Sequence, residues 1–260
     1  MKRSRLPATL TALVLLFLNA PLAVLVLNSF NASRFGGTWE GFTWQWYERL
    51  WQADEVWDAF LLSLRLATAT TLAATVLGTL AAWSLHRFNG RLQHVHRALI
   101  VLPLALPELL MGMALLSLFT ALHIPTGPLT IWAAHVTFCI SYVAMVVLGR
   151  LRDFDTHLLD AARDLGAGPW QVAYRVLLPL LLPGILAGAL LAFTLSMDDF
   201  VITFFVSGPG STTLPLRIAS MMKTSRSLPV INALSTLLLC ATFLAAALSL
   251  RLGRRCTPPS

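Results

Sequence analysis

The stretch HLLDAARDLGAGPWQVAYRVLLPLLLP, residues 157–183, decides the fold. His157 to Leu165 reads as a short amphipathic helix carrying the small residues Ala161 and Ala162, and Gly166 ends it. Gly168-Pro169 then suits the start of a second helix, with proline in the first turn, where no amide partner is lost. Small side chains let a helix approach another surface closely, and the glycine permits the sharp bend that turns two helices into a wedge. Pro179 and Pro183 mark the start of the next apolar run. A polar-faced wedge between two long apolar runs is a solvent loop between membrane spans, suited to transmitting force from a cytoplasmic partner.

Outward from the wedge, six runs supply the roughly 20 apolar residues that a helix needs to cross the hydrocarbon with every amide satisfied internally. They are expected at 7–27, 61–85, 98–121, 129–149, 184–206 and 230–250, and the loop 150–183 joins the fourth to the fifth. Composition agrees: 57% hydrophobic residues, 12% charged and a mean hydropathy of +0.72 exceed what a soluble core requires. The whole chain, 1–260, is thus expected to be one all-α membrane domain. Lys2, Arg3 and Arg5 ahead of the first run invite comparison with a secretory signal. That run, Leu6 to Leu27, is 22 residues long, whereas a signal core has about 7–15. Pro21 also follows the small-residue pair Asn19-Ala20, so an uncleaved first span is expected.

A net charge of +7 and a pI of about 10.2 raise nucleic-acid binding as a possibility, and the placement of the charges decides against it. One side of the expected topology collects Lys2, Arg3, Arg5, Arg87, Arg91, Arg97, Arg150, Arg152, Arg163, Arg175, Arg251, Arg254 and Arg255. The other has Arg34, Arg49, Arg217, Lys223 and Arg226, and Arg65 lies near the outer end of the second span. Thirteen against five places both termini in the cytoplasm. The basic balance is a topology signal.

The first outer loop carries Trp39, Trp44, Trp46, Trp51 and Trp57 among Glu40, Glu48, Asp54, Glu55 and Asp58. Such rings prefer the headgroup level, which gives an interfacial helix on membrane lipid; a docking surface for an external partner is the other reading. Cys139 and Cys240 fall in apolar runs as small hydrophobes, and Cys256 lies in the tail. No cysteine has metal-ligand spacing. His94 and His96 share a basic loop, and His135 reads as a hydrogen-bonded core residue.

Asp160-Ala161-Ala162, Gly166 after three residues, and Val176-Leu177-Leu178-Pro179 after nine more resemble the coupling motif of ABC importer permeases. That motif usually opens Glu-Ala-Ala and closes Ile-x-Leu-Pro; Asp160 and Val176 are conservative departures. Two further stretches narrow the resemblance. One is Leu129 to Trp132 with Ala134 to Cys139; the other is Leu191 to Asp199, followed by Phe205-Val206-Ser207-Gly208-Pro209-Gly210. They look like the permeases of spermidine and putrescine importers, more like the putrescine branch. The resemblance implies a type I ABC importer permease fold of six transmembrane helices with a cytoplasmic coupling helix between spans four and five. Asp160, Ala161, Ala162, Gly166 and Pro179 would meet the ATPase. It also implies a second permease subunit, a dimer of ATP-binding subunits holding ATP and Mg, and a periplasmic polyamine-binding protein, all at a bacterial inner membrane.

Inside the expected spans stand Glu108, Asp198 and Asp199. A carboxylate near the bilayer centre costs on the order of 3 kcal/mol, so each should face protein or water. Pro103 and Pro107 interrupt the third span just before Glu108 and can open a cavity wall. The acids either lock helices together or line a path for a cationic solute, to which the resemblance assigns ammonium groups. Of Asp198 and Asp199, one is expected to face the path and the other a neighbouring helix or Arg65. Tyr142, Phe200 and Phe204 would add cation–π contacts. An intramembrane enzyme would need a nucleophile with its base or a metal cluster, and no His-x-x-Glu-His, Gly-x-Ser-x-Gly or Cys-His arrangement is present. The chain also lacks a Gly-x-x-x-x-Gly-Lys-Ser/Thr loop, so phosphate binding would fall to another subunit. A channel or secondary transporter could use the same acids but leaves the wedge without a purpose, and a permease for another small solute stays open.

Overall fold

The computed structural model describes residues 6–34, 38–88, 90–152, 157–223 and 228–255. Lys2, Arg3, Arg5, Arg226 and Cys256 lie outside them. Helices are α1 (Leu6–Ser29), α2 (Gln45–Trp51), α3 (Asp54–Arg87), α4 (Arg91–Ala105), α5 (Glu108–Ala121), α6 (Pro128–Arg152), α7 (His157–Asp164), α8 (Pro169–Val172), α9 (Leu178–Asp198), α10 (Val201–Val206), α11 (Leu214–Met222) and α12 (Leu228–Arg255). Among the described residues the β-structure amounts to one isolated antiparallel bridge between Asn31 and Phe42. The chain divides into two compact units, one made of Met1–Trp57 with Ile218–Ser260 and the other of Asp58–Arg217.

Among the described residues, four helices are long and apolar enough to cross a membrane: Thr9–Ser29, Asp54–Arg87, Pro128–Arg152 and Pro169–Asp198. Leu92–Ala105 and Glu108–Ala121, bent by 115°, make a fifth if they form one broken span. The sixth expected run falls on α12, whose described apolar part, Leu228–Leu244, is shorter than a full span. The break in the third run falls at Leu106-Pro107, where the backbone is extended. Proline at 107 lacks an amide hydrogen and disfavours helix at the residue before it, so the ladder ends there. Pro103 is carried inside α4.

In the smaller unit α1 and α12 pack together, and α12 also packs on α2. The segment ahead of α2 is organised by Asn31. Its side-chain oxygen accepts the amides of Ser33 and Glu40 at 3.2 and 2.9 Å, and its amide donates to the Thr38 carbonyl at 2.8 Å. Trp46 is 1% exposed and donates its indole N–H to the Asn31 carbonyl at 2.7 Å. Phe30 stacks on Phe42, and Trp44 meets both edge-on. The tryptophans expected to form one surface belt therefore split. Trp46 is core and Trp57 donates to the Leu50 carbonyl, leaving Trp39, Trp44 and Trp51 exposed.

In the larger unit α6 is the axis, burying Ile131, Ala134, Phe138, Val143, Val147 and Leu151. Lipid tails are as apolar as leucine, so helices here associate by van der Waals fit and not by exclusion of water. Alpha-9 supplies that fit with a stripe of small buried residues four apart: Gly184, Gly188, Ala192 and Ser196. A Cβ at Gly188 would lie 3.2 Å from Cγ1 of Val143, and one at Gly78 of α3 would lie 2.8 Å from its Cβ. Val143 is thus clamped between two glycines, and larger side chains would push the helices apart.

The wedge takes the expected form at its first corner. Gly166, at φ +84°, follows α7; its amide bonds the Arg163 carbonyl and that of Ala167 bonds the Ala162 carbonyl. These two bonds and the left-handed glycine form a Schellman stop. The second helix departs from expectation. Pro179 and Pro183 do not open a new helix near residue 184; the chain runs helically from Pro169 to Asp198, with one π-helical turn at Ala173–Leu177. A π turn shifts the hydrogen-bond register just before Pro179, which has no amide to donate, so the helix passes the proline without ending.

Candidate functional site

The fifth expected span is not continuous to residue 206. Alpha-9 ends at Asp198, Asp199 is extended at φ −63° and ψ 121°, and the chain resumes as α10 after Phe200. A break within the bilayer strands the first amides of the new helix, at a cost of several kcal/mol each if unpaired. Asp199 answers this need. Its carboxylate accepts the amide of Thr203 at 2.8 Å, that of Ile202 at 3.4 Å and the Thr203 hydroxyl at 2.6 Å.

The same carboxylate meets His135 from α6. Nε2 of His135 lies 3.2 Å from Oδ2 of Asp199 and 2.9 Å from the Thr203 hydroxyl oxygen, and Nδ1 lies 2.8 Å from the Ser196 hydroxyl. Thr203 spends its hydroxyl proton on Asp199, so it accepts from His135, which fixes a proton on Nε2. Ser196 then donates to Nδ1 of a neutral ring, or accepts from it if the ring is charged. All four side chains are buried, and Asp199 is 9% exposed. Asp199 is therefore bound to a neighbouring helix and not to Arg65, which is exposed and makes no ion pair among the described residues. His135 is the hydrogen-bonded core residue anticipated. Its partnership with Asp199, and the parts of Ser196 and Thr203, were missed. The available signal was that two ionisable groups in spans seek each other.

Asp198, one residue earlier, is exposed, as is Glu108. Each stands at a helix break: Asp198 is the last residue of α9, and Glu108 the first of α5. Alpha-5 packs against α10, closely enough that a Cβ on Gly112 would come 2.7 Å from the Phe205 ring. Phe200 and Phe204 pair at 5.9 Å with faces exposed. Tyr142, two turns beyond His135 on α6, sits edge-on to Phe138 at 4.9 Å, within electrostatic range of Glu108. At the wedge, Asp160 pairs with Arg163 at 2.8 Å, Ala161 is exposed and Ala162 half-buried. Apolar Leu165 and Trp170 are 89% and 86% exposed beside them. Pro179 lies in the first turn of α9.

Residues 74–254 match the family described as binding-protein-dependent transport system inner membrane component. The chain is 46% identical to the putrescine transport system permease protein PotI of Escherichia coli (strain K12), over 86% of this chain and 82% of that one. It is 38% identical to the spermidine/putrescine transport system permease protein PotC of Haemophilus influenzae, over 92% and 93%. Among solved structures it resembles a chain of a bacterial ABC transporter involved in import of the acidic polysaccharide alginate. The TM-score is 0.77 with 14% identity, covering 96% of this chain and 98% of that one, a likeness of fold alone. With the helical architecture and these matches together, the chain belongs to the inner-membrane permease components of binding-protein-dependent ABC transport systems.

Proposed function

We propose that this chain is a permease subunit of an ATP-driven importer of polyamines, putrescine and spermidine among them, with ATP hydrolysed by a separate subunit. The observation that carries the reading is that α5 packs on α10 and that the break ahead of each carries an exposed carboxylate, Glu108 and Asp198. The C-terminus of α9 adds the negative end of its dipole to Asp198, which suits an ammonium group. Phe200 and Tyr142 offer ring faces beside the acids. A diamine has two charged ends, and Asp198 and Glu108 supply two counter-charges. The similarity to PotI and PotC supports the same class of solute.

The path would run between this chain and a second permease, with solute delivered by a binding protein on the outer side. Asp160, Ala161, Ala162, Gly166 and Pro179 would dock a dimer of ATP-binding subunits, and the exposed Leu165 and Trp170 fit such a covered surface. The excess of Lys and Arg on the wedge side supports cytoplasmic termini. The test is a solute panel with the assembled transporter and its binding protein: 1,4-diaminobutane should stimulate ATP hydrolysis, while the uncharged 1,4-butanediol and the dicarboxylate succinate should not. Stimulation by the diol or by succinate alone would set the polyamine assignment aside.

A further inference from the structure

His135 is 1% exposed, so it cannot itself meet a solute. All its polar partners, however, lie on the segment that carries Asp198: Ser196 two residues before it, Asp199 next to it and Thr203 five residues after. One ring on α6 thus fastens both sides of the α9–α10 break. Asp199 with its amide partners closes the break internally, but those bonds do not fix its place relative to α6. At the break itself the His135 ring does that; the other polar ties to α6 lie away from it, the weak contact from Cys139 Sγ to the Ala192 carbonyl at 3.6 Å and the Thr130 hydroxyl donating to the Val206 carbonyl at 2.8 Å at the far end of α10. The side-chain direction of Asp198 depends on the torsions at the break, since it is the last helical residue before the chain turns to extended backbone at Asp199.

We propose that His135 is a positioning residue for transport: by holding Asp199, Ser196 and Thr203 it sets the α9–α10 break and so aims Asp198 at the solute. The assignment rests on Asp198 being a solute-facing acid. His135 also carries a second duty, since its Nε2, 3.2 Å from Oδ2, adds a further donor to the buried Asp199 carboxylate. Asp199's charge is shared among a ring, a hydroxyl and two amides, which leaves Asp198 as the acid available at this break.

The test is a double-mutant cycle in the complete reconstituted transporter, read as the concentration dependence of labelled putrescine uptake beside an assembly check and basal ATP hydrolysis. His135→Leu should raise the KM for putrescine roughly tenfold, with maximal rate and basal hydrolysis changed far less. His135→Gln, whose amide can restore a hydrogen bond, should recover most of the loss. In His135→Leu with Asp198→Asn the defect should be no greater than in Asp198→Asn alone, because aiming a charge that is absent has no effect. Losses that multiply, or a His135→Leu defect confined to the maximal rate, would assign His135 a structural role only. A damaged Asp198→Asn beside a parental His135→Leu removes the role given to His135 and leaves the solute-facing acid standing. A parental Asp198→Asn removes both. If His135→Leu does not assemble, Thr203→Val, which deletes one partner of the ring and keeps its shape, carries the same prediction at about threefold in KM; a parental KM there contradicts it.

Discussion

Asp198 and Asp199 are neighbours in sequence, and the turn of the chain between them gives them different surroundings. Asp199 is buried against His135 and Thr203; Asp198 is exposed. Asp199→Ala takes the buried acceptor from the Ile202 and Thr203 amides and the Thr203 hydroxyl, at about 1–3 kcal/mol for each group left unsatisfied, so it is expected to lower the yield of assembled complex, measured by co-purification from membranes. Asp198→Asn keeps shape and loses charge, so assembly should be parental and labelled-putrescine uptake should fall about tenfold or more, with Glu108→Gln causing a smaller loss. The presence of costly acids in the spans was legible in the sequence, and so was the expectation that the two neighbouring aspartates would differ in their surroundings, one of them against a neighbouring helix. Which residue took which part was not legible. It depends on where the fifth run breaks, and an apolar string from 184 to 206 carries no proline or glycine at 199 to announce it.

At the level of elements, Gly166 and Gly188 act by different physics. Gly166 occupies φ +84° with open space where a Cβ would stand, so a substitution there is opposed by backbone conformation and not by crowding. Left-handed backbone costs an L-residue about 1–2 kcal/mol, and more for a β-branched one. Gly166→Val should therefore insert and assemble its spans, yet lose putrescine uptake through failure of solute-stimulated ATP hydrolysis; parental coupling would remove the wedge from the mechanism. Gly188 faces Val143 in a tight contact. Gly188→Leu should separate α9 from α6 and lower the thermal stability of the detergent-purified complex, whereas Leu190→Ala on the exposed side should change it little. The wedge could be read from Gly166 and Gly168-Pro169, because punctuation residues act locally. Continuity through Pro179 could not, since a π turn upstream is a non-local accommodation that leaves no mark in composition.

For the whole molecule, hydropathy sufficed for the class and for the places of the first, second and fourth runs, because the bilayer demands about 20 apolar residues whatever their packing. It did not reveal the 115° bend in the third run, although Pro103 and Pro107 pointed to an interruption there. The segment ahead of α2 was legible only as aromatic. Its order comes from the hydrogen bonds of Asn31, a residue with nothing unusual about it in sequence. Orientation is tested by reporter fusions: Gly90, Gly168 and Ser260 are expected to read as cytoplasmic, and Gly41 and Gly210 as periplasmic, and an external Gly168 would place the wedge beyond reach of any ATPase. ATP-driven polyamine import through this chain is tested by labelled-putrescine uptake into vesicles holding both permeases and the binding protein, with and without the ATP-binding subunits. Uptake should require those subunits and ATP together and should fall about tenfold or more with Asp198→Asn; equal uptake in their absence would make the chain a channel or secondary transporter and contradict the account.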